Sequence, residues 1–119
     1  MRRLVAITLE RGPDGGLCGY RASGHTGLAA AGQDVACAAI SALVQTAALG
    51  LERRLGIAVE VDAGDGLFTC RLPAELAAEA RERAEDLLET MRLGLAEIAR
   101  LQPGALRLSE ETGPRTRRR

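Results

Sequence analysis

The sequence predicts an α+β fold in two layers, with the order strand-strand-helix-strand-strand-helix and an antiparallel sheet that carries both helices. Three observations predict this fold. Two pairs of short alternating segments are each joined by a glycine-rich turn, and one helical pattern follows each pair. The apolar fraction of 46% in 119 residues is that of one globular domain. Strands joined as hairpins run antiparallel, and the helices after them can cover one face of the sheet.

The first half of the chain contains a hairpin and a helix. Alternation of apolar and polar residues predicts a strand from Leu4 to Arg11, followed by turn residues 12–16 and a second strand from Leu17 to Ser23. A helix is predicted from Gln33 or Asp34 to Leu55, and Gly56 stands just past its end.

The second half repeats this order. Ile57 to Val61 alternates as a third strand, and a tight turn leads to a fourth strand from Leu67 to Leu72. Pro73 starts a long helix that Pro103-Gly104 ends, and residues 105–109 add a short edge strand. The apolar stripe of this helix consists of Leu76, Ala80, Ala84, Leu87, Leu88, Met91, Leu95 and Ile98. One domain is therefore predicted over residues 1–109, with a disordered Arg-rich tail over residues 110–119.

Charge and composition narrow the range of partners. The formal net charge is zero, but four of the 16 basic residues lie within residues 115–119, so the rest of the chain is net acidic. An acidic body argues against a nucleic-acid-binding surface and leaves only a weak contact of the tail with RNA open. Tyr20 and Phe68 are the only aromatic residues, which argues against recognition by base stacking.

Cysteine usage and hydropathy indicate the compartment. The three cysteines are an odd number, and the N-terminal apolar run is too short for a secretory leader, which together predict the reducing cytoplasm. The apolar run from Cys37 to Leu49 is too short to span a bilayer, so no membrane partner is predicted.

The first helix is apolar nearly all round from Ala36 to Leu51, whereas a helix on one sheet needs a single apolar stripe. A second copy of the chain would cover the other face, so we expect a homodimer. The pattern is interpreted with Ile40, Val44 and Leu51 facing the second copy, while the sheet receives Val35, Ala39, Ala42 and Leu49.

The only histidine, His25, stands before a helix whose first turn holds Cys37. A thiolate is the reactive form of cysteine, and both a nearby imidazole and a helix N-terminus favour it. Asp34 lies one turn before Cys37, and Ser41 lies one turn after it on the same face. Cys18 and Cys70 fall on strands without such neighbours, so we expect Cys37 to be the reactive thiol.

The residues alone leave other interpretations open. Cys37 could be a small buried core residue beside an incidental histidine. The three cysteines and His25 could bind zinc, but the ligand-pair spacings of zinc sites are missing. Gly24, Gly27 and Gly32 before a helix match a phosphate-binding loop only loosely, because there is no lysine and no Walker spacing.

The segment from residue 24 to residue 43 resembles the signature of the bacterial ribosomal-processing cysteine protease family. The matching residues form the collinear pattern Gly24-His25-x-Gly27-x-Ala29-x-x-Gly32-x-Asp34-x-x-Cys37-Ala38-Ala39-x-Ser41-Ala42-Leu43. The predicted order of strands and helices is also similar to the two-layer dimer of that family. Thr26 stands where alanine is usual, and Leu28 stands where tyrosine is usual.

The resemblance implies a cysteine endopeptidase that needs no metal or organic cofactor. Cys37 would be the nucleophile and His25 its base, with Asp34, Ser41 and Gly24 as supporting residues. The implied substrate is an N-terminal extension of the large-subunit ribosomal protein numbered twenty-seven, cut after a pair of aromatic residues. The alternative is a non-catalytic, ribosome-associated module that holds the same peptide without cutting it.

Overall fold

The computed structural model describes residues 4–24 and 35–113. Within these residues five strands form one sheet in the order β3-β4-β2-β1-β5, and two α-helices pack on it. This is the predicted α+β fold in two layers. The elements are β1 (Val5–Arg11), β2 (Leu17–Ser23), α1 (Val35–Leu49), β3 (Glu60–Gly64), β4 (Leu67–Arg71), α2 (Ala78–Leu101) and β5 (Leu106–Thr112).

The sheet is mostly antiparallel, as predicted, but one pair of strands is parallel. β1 pairs antiparallel with β2, and β4 pairs antiparallel with both β2 and β3. β5 instead pairs parallel with β1, from Val5↔Leu106 to Arg11↔Thr112. The reason is that α2 carries the chain from β4 back across the sheet, so that β5 runs parallel to β4. β1 also runs parallel to β4, because each of these two strands pairs antiparallel with β2. Since β1 pairs with β2 on one side and with β5 on the other, it lies inside the sheet and not at its edge.

The core lies between one face of the sheet and the two helices. Val5, Ile7 and Leu9 of β1 are buried, as their alternation with polar residues predicts. They share one hydrophobic cluster with four residues of the predicted stripe of α2, which are Ala84, Leu88, Met91 and Leu95. The core is aliphatic apart from Tyr20 and Phe68, in keeping with the composition.

The predicted rotation of α1 about its axis is wrong. Ile40, Val44 and Leu51 were assigned to the outer face, but all three are fully buried in the core. Val35 and Leu49 were assigned to the sheet, yet their exposed fractions are 81% and 43%. Because both faces of this helix are apolar, periodicity carries no information about which face meets the sheet. Its exposed apolar face carries Val35, Ala38, Ala42 and Leu49.

The helical segment that contains α1 is longer than the apolar run of residues 37–49, which the sequence analysis considered too short to span a bilayer. A π-helical turn, Gly50–Arg54, continues α1, and the 20 residues Val35–Arg54 are long and apolar enough to cross a bilayer by length and composition. The core helix of a globular domain meets the same test. Ile40 and Val44 of this helix are fully buried in the hydrophobic core.

Several element ends differ from the prediction. β3 begins at Glu60 instead of Ile57, and α2 begins at Ala78 instead of Pro73. β5 continues past the predicted end at Ser109 to Thr112, because its full length pairs with β1. The prediction of a disordered tail from residue 110 is therefore wrong for residues 110–112. The ends of β3 and β5 are set by their hydrogen-bond partners in the sheet, which alternation along one segment does not show.

Candidate active site

Cys37 lies in the first turn of α1, where the sequence predicted it. It is the third residue of the helix and is buried, with an exposed fraction of 7%. The backbone N–H groups of the first helical turn lack acceptors within the helix, and the helix dipole adds positive potential there. These groups make the start of a helix a favourable place for the oxyanion that forms when a carbonyl carbon is attacked.

Ser41 lies one helical turn after Cys37 on the same buried face of α1, as predicted. Its exposed fraction is 2%, and its hydroxyl has no hydrogen-bond partner among the described residues. A buried hydroxyl without a partner costs about 1–3 kcal/mol relative to a satisfied one. A group that carries such a cost next to a candidate nucleophile has the chemistry to bind a reacting group or a substrate.

Gly24 directly follows β2 and has backbone geometry that favours glycine. Its φ is +91°, and a Cβ there would lie 2.6 Å from the carbonyl oxygen of Leu4, the residue directly before β1. Its amide donates a hydrogen bond of 3.1 Å to the carbonyl oxygen of Gly66, in the turn between β3 and β4. The residue directly before His25 is thus held between two neighbouring segments.

The other two predicted site residues, His25 and Asp34, lie outside the described residues, as do Gly27 and Gly32 of the loose phosphate-loop pattern. The structure therefore describes Cys37, Ser41 and Gly24 of the predicted set, and it places the first two together on one helix face.

Tyr20 is a residue whose role the sequence analysis missed. Its hydroxyl, fully buried, donates a hydrogen bond to the main-chain carbonyl of Val44 and so connects β2 with α1. Its ring stacks on Phe68 with centroids 6.2 Å apart. Burial is the main cause that raises the pKa of Tyr20, and the nearby Cys70 thiol raises it further. The hydroxyl therefore remains protonated and a donor near neutral pH. A single tyrosine in an aliphatic core was the available signal, since a buried hydroxyl needs a partner.

Cys70 is buried in the core beside Tyr20. Burial raises the pKa of its thiol, while a hydrogen bond with Tyr20 opposes that shift. A thiol with a raised pKa is a weak nucleophile near neutral pH. Among residues 4–24 and 35–113, no three or more His, Cys, Asp or Glu side chains lie together in a group that could bind a metal ion.

Comparisons with known proteins agree with this architecture. The family model described as cysteine protease Prp matches residues 4–107. The ribosomal processing cysteine protease Prp of Bacillus subtilis (strain 168) is 32% identical over 108 residues, which cover 89% of this chain and 96% of that protein.

Two solved structures have the same fold. SMU.848 from Streptococcus mutans aligns with a TM-score of 0.75 at 24% identity, covering 93% of this chain and 97% of its own. The ribosomal processing protease Prp from S. aureus, in complex with a substrate peptide, aligns with a TM-score of 0.76 at 18% identity, covering 91% of this chain and 100% of its own.

Proposed function

We propose the catalytic residues of this chain from the premise that it belongs to the ribosomal-processing cysteine protease Prp family and is a cysteine protease. Cys37 is the proposed nucleophile and His25 the proposed general base. The observation that carries the proposal is the position of Cys37, which is buried in the first turn of α1, one helical turn before Ser41 on the same face. Cys18 and Cys70 lie in the strands β2 and β4, whereas Cys37 lies in the first turn of a helix.

The proposed reaction has two steps. The Cys37 thiolate attacks the scissile carbonyl carbon, and the N–H groups at the start of α1 stabilise the oxyanion that forms. His25 then protonates the leaving amine as the C–N bond breaks, which leaves an acyl-enzyme. In the second step His25 removes a proton from water, the hydroxide adds to the acyl carbon, and the thiolate leaves.

The supporting residues act on this geometry. Gly24 fixes the chain directly before His25, and Ser41 supplies a hydroxyl one turn from the nucleophile. Asp34, from its place in the sequence directly before α1, would orient the site. Among the described residues the hydroxyl of Ser41 has no hydrogen-bond partner, so it is available to a bound substrate.

The lengths of the two connected elements support a shared site. Tyr20 binds Val44; Gly24 lies four residues after Tyr20, and Cys37 lies seven residues before Val44. These separations correspond to about 13 Å along a strand and about 10 Å along a helix. A strand and the helix that follows and packs on it run in opposite directions, so Gly24 and Cys37 lie at the same end of the two layers.

We propose as substrate the N-terminal extension of the large-subunit ribosomal protein numbered twenty-seven, cleaved in the cytoplasm. Two relatives support this: the B. subtilis protein is named for ribosomal processing, and the S. aureus protein binds a substrate peptide. Thr26 and Leu28, within the signature segment, differ from the usual residues of the family. The preference of this chain for the residues before the cleavage site is therefore to be measured.

The protein is further proposed to be a homodimer, joined through the outward face of α1 as the structure defines it. Val35, Ala38, Ala42 and Leu49 line that face, and Val35 and Leu49 are large apolar side chains exposed to solvent. Soluble proteins usually cover an apolar stripe of this kind, and a twofold pairing of identical stripes is the commonest way to do so.

The decisive experiment uses mass spectrometry on a peptide that spans the extension and the mature start of the host ribosomal protein. The purified protein is expected to cut the peptide once, and Cys37→Ser is expected to leave it intact. Cys18→Ser, which changes a half-buried thiol in β2, is the matched control and is expected to cleave at the wild-type rate. Peptide binding without cleavage by the wild type would instead favour a non-catalytic module.

A further inference from the structure

The turn between β3 and β4 lies against the chain that leads to His25. Gly64 pairs with Leu67, so the turn has Asp65 and Gly66 as its two central residues. Both have positive φ, +54° and +77°, which is the type I′ hairpin that an Asp-Gly pair favours. This backbone conformation fixes the direction of the carbonyl group of Gly66.

The carbonyl of Gly66 has a partner outside its own hairpin. The ladder between β2 and β4 ends with the pair Ser23↔Leu67, and the next contact along it is the hydrogen bond from the Gly24 amide to Gly66. On its other side Gly24 lies so close to the carbonyl oxygen of Leu4 that a Cβ atom on residue 24 would clash with it. Gly24 is therefore clamped between the start of β1 and the β3–β4 turn.

We infer that the Asp65–Gly66 turn is a positioning element of the protease. The Gly66 carbonyl accepts a hydrogen bond from the Gly24 amide and so holds the Ser23–Gly24 peptide unit, the last one before the unit that joins Gly24 to His25 in the sequence. The inference rests on the proposed role of His25 as general base. A base must stand within hydrogen-bond reach of the groups that exchange its proton, so a shift of about 1 Å in its attachment point is costly in rate.

The test compares two substitutions at Gly66. Valine is strained at φ +77° and disrupts the turn, whereas asparagine tolerates this conformation and keeps the backbone carbonyl in place. We expect Gly66→Val to lower kcat about tenfold or more with KM changed by less than about twofold, because the chemistry and not the binding depends on the position of the base. Gly66→Asn is expected to retain the wild-type kcat.

A matched control strains the other glycine turn. Gly15 has φ +91° and open space at its Cβ position, and it lies in the β1–β2 turn at the opposite end of the sheet from Gly24. Gly15→Val is expected to lower the melting temperature as much as Gly66→Val while kcat stays at the wild-type value. Equal losses of kcat in both valine variants, or no loss in Gly66→Val, would overturn the inference.

A second measurement needs no substrate. The rate of Cys37 alkylation by iodoacetamide reports on the thiolate that a correctly placed imidazole favours, and it is expected to fall in Gly66→Val and to be restored in Gly66→Asn. If the wild type fails to cleave the peptide but the alkylation rates follow this order, the substrate assignment fails and the positioning role stands. Identical alkylation rates in all variants would reject the positioning role.

Discussion

The hydroxyl of Tyr20 donates a hydrogen bond across 2.5 Å to the main-chain carbonyl of Val44, and the side chains of both residues are fully buried. The bond connects the strand that leads to Gly24 with the helix that carries Cys37. It is a polar connection between the sheet and α1 inside an otherwise aliphatic core.

Tyr20→Phe removes the hydrogen bond to Val44 and the one with the Cys70 thiol, and it is expected to lower the free energy of unfolding by about 1–3 kcal/mol. The ring and its packing on Phe68 are retained. Urea unfolding measures the change. Thr90→Val is the matched control, because Thr90 also donates a hydroxyl to a helix carbonyl, that of Asp86, but at an exposed site. Its effect is expected to be within about 0.5 kcal/mol. Equal effects of the two variants would contradict a special role for the buried bond.

Cys37→Ser and His25→Ala are each expected to abolish peptide cleavage without loss of the folded state. A serine hydroxyl is scarcely ionised near neutral pH and lacks the nucleophilicity of a thiolate, and without His25 no residue takes or returns the proton. Residues that act as one unit are not additive, so the double variant should be little slower than either single one. Circular dichroism controls for folding. Substantial turnover by Cys37→Ser would exclude the cysteine mechanism.

Ser41→Ala separates stability from activity. Because the Ser41 hydroxyl is buried with no partner among the described residues, its removal is expected to leave the free energy of unfolding unchanged or to raise it. If the hydroxyl serves the reaction, kcat falls at the same time. Ser109→Ala, whose hydroxyl contacts Thr8 on the polar face of the sheet, is the control and should leave kcat unchanged. A destabilised Ser41→Ala variant with normal kcat would assign the serine a structural role.

The dimer prediction now depends on the outward face of α1. Ala42→Glu places a charge at an exposed position of that face and is expected to give a folded monomer in light scattering. Val44→Glu, in contrast, buries a charge in the core and is expected to unfold the chain. Ala78→Glu, at the exposed start of α2, controls for added charge and should leave the mass unchanged. A wild-type monomer at micromolar concentration would reject the dimer.

The different outcomes for β1 and α1 show what the pattern of a sequence can define. In β1, Val5, Ile7 and Leu9 alternate with less apolar residues, so the buried face was predicted correctly. In α1 apolar residues surround the axis, and the side that meets the sheet depends on contacts with distant residues such as Tyr20. The parallel pairing of β5 was missed for the same reason, since a strand pattern does not identify the neighbouring strand.

The candidate site divides in a similar way. Cys37 and Ser41 could be placed on one face from their spacing alone, because four residues make about one helical turn. The contact of Gly24 with Gly66 joins residues far apart in the chain, and no local pattern predicts it. The positive φ of Gly24 could not be predicted either, because the sequence shows only that a glycine precedes the histidine.

The pH dependence of stability is expected to follow Glu10, which joins three strands on the polar face of the sheet. Arg71 binds both its carboxylate oxygens at 2.9 Å, and Arg21 binds one of them at 3.1 Å. Burial alone would raise the pKa of Glu10, but the hydrogen bonds and charges of Arg71 and Arg21 outweigh it and lower the pKa below the ordinary 4.5. A carboxyl whose pKa is lowered on folding adds stability above its unfolded pKa.

This contribution is present at neutral pH and is lost as the pH falls below about 4.5 through the lower pKa of the folded state. Glu10→Gln keeps the size of the side chain and removes its charge, and it is expected to cost on the order of 1 kcal/mol at pH 7. The difference from wild type should shrink in urea unfolding as the pH approaches 3, because the wild-type carboxyl is then being protonated. Glu82→Gln, at an exposed position of α2, controls for the loss of a charge elsewhere. If the difference between wild type and Glu10→Gln stays constant from pH 7 to pH 3, the ion pairs of Glu10 do not contribute to acid sensitivity.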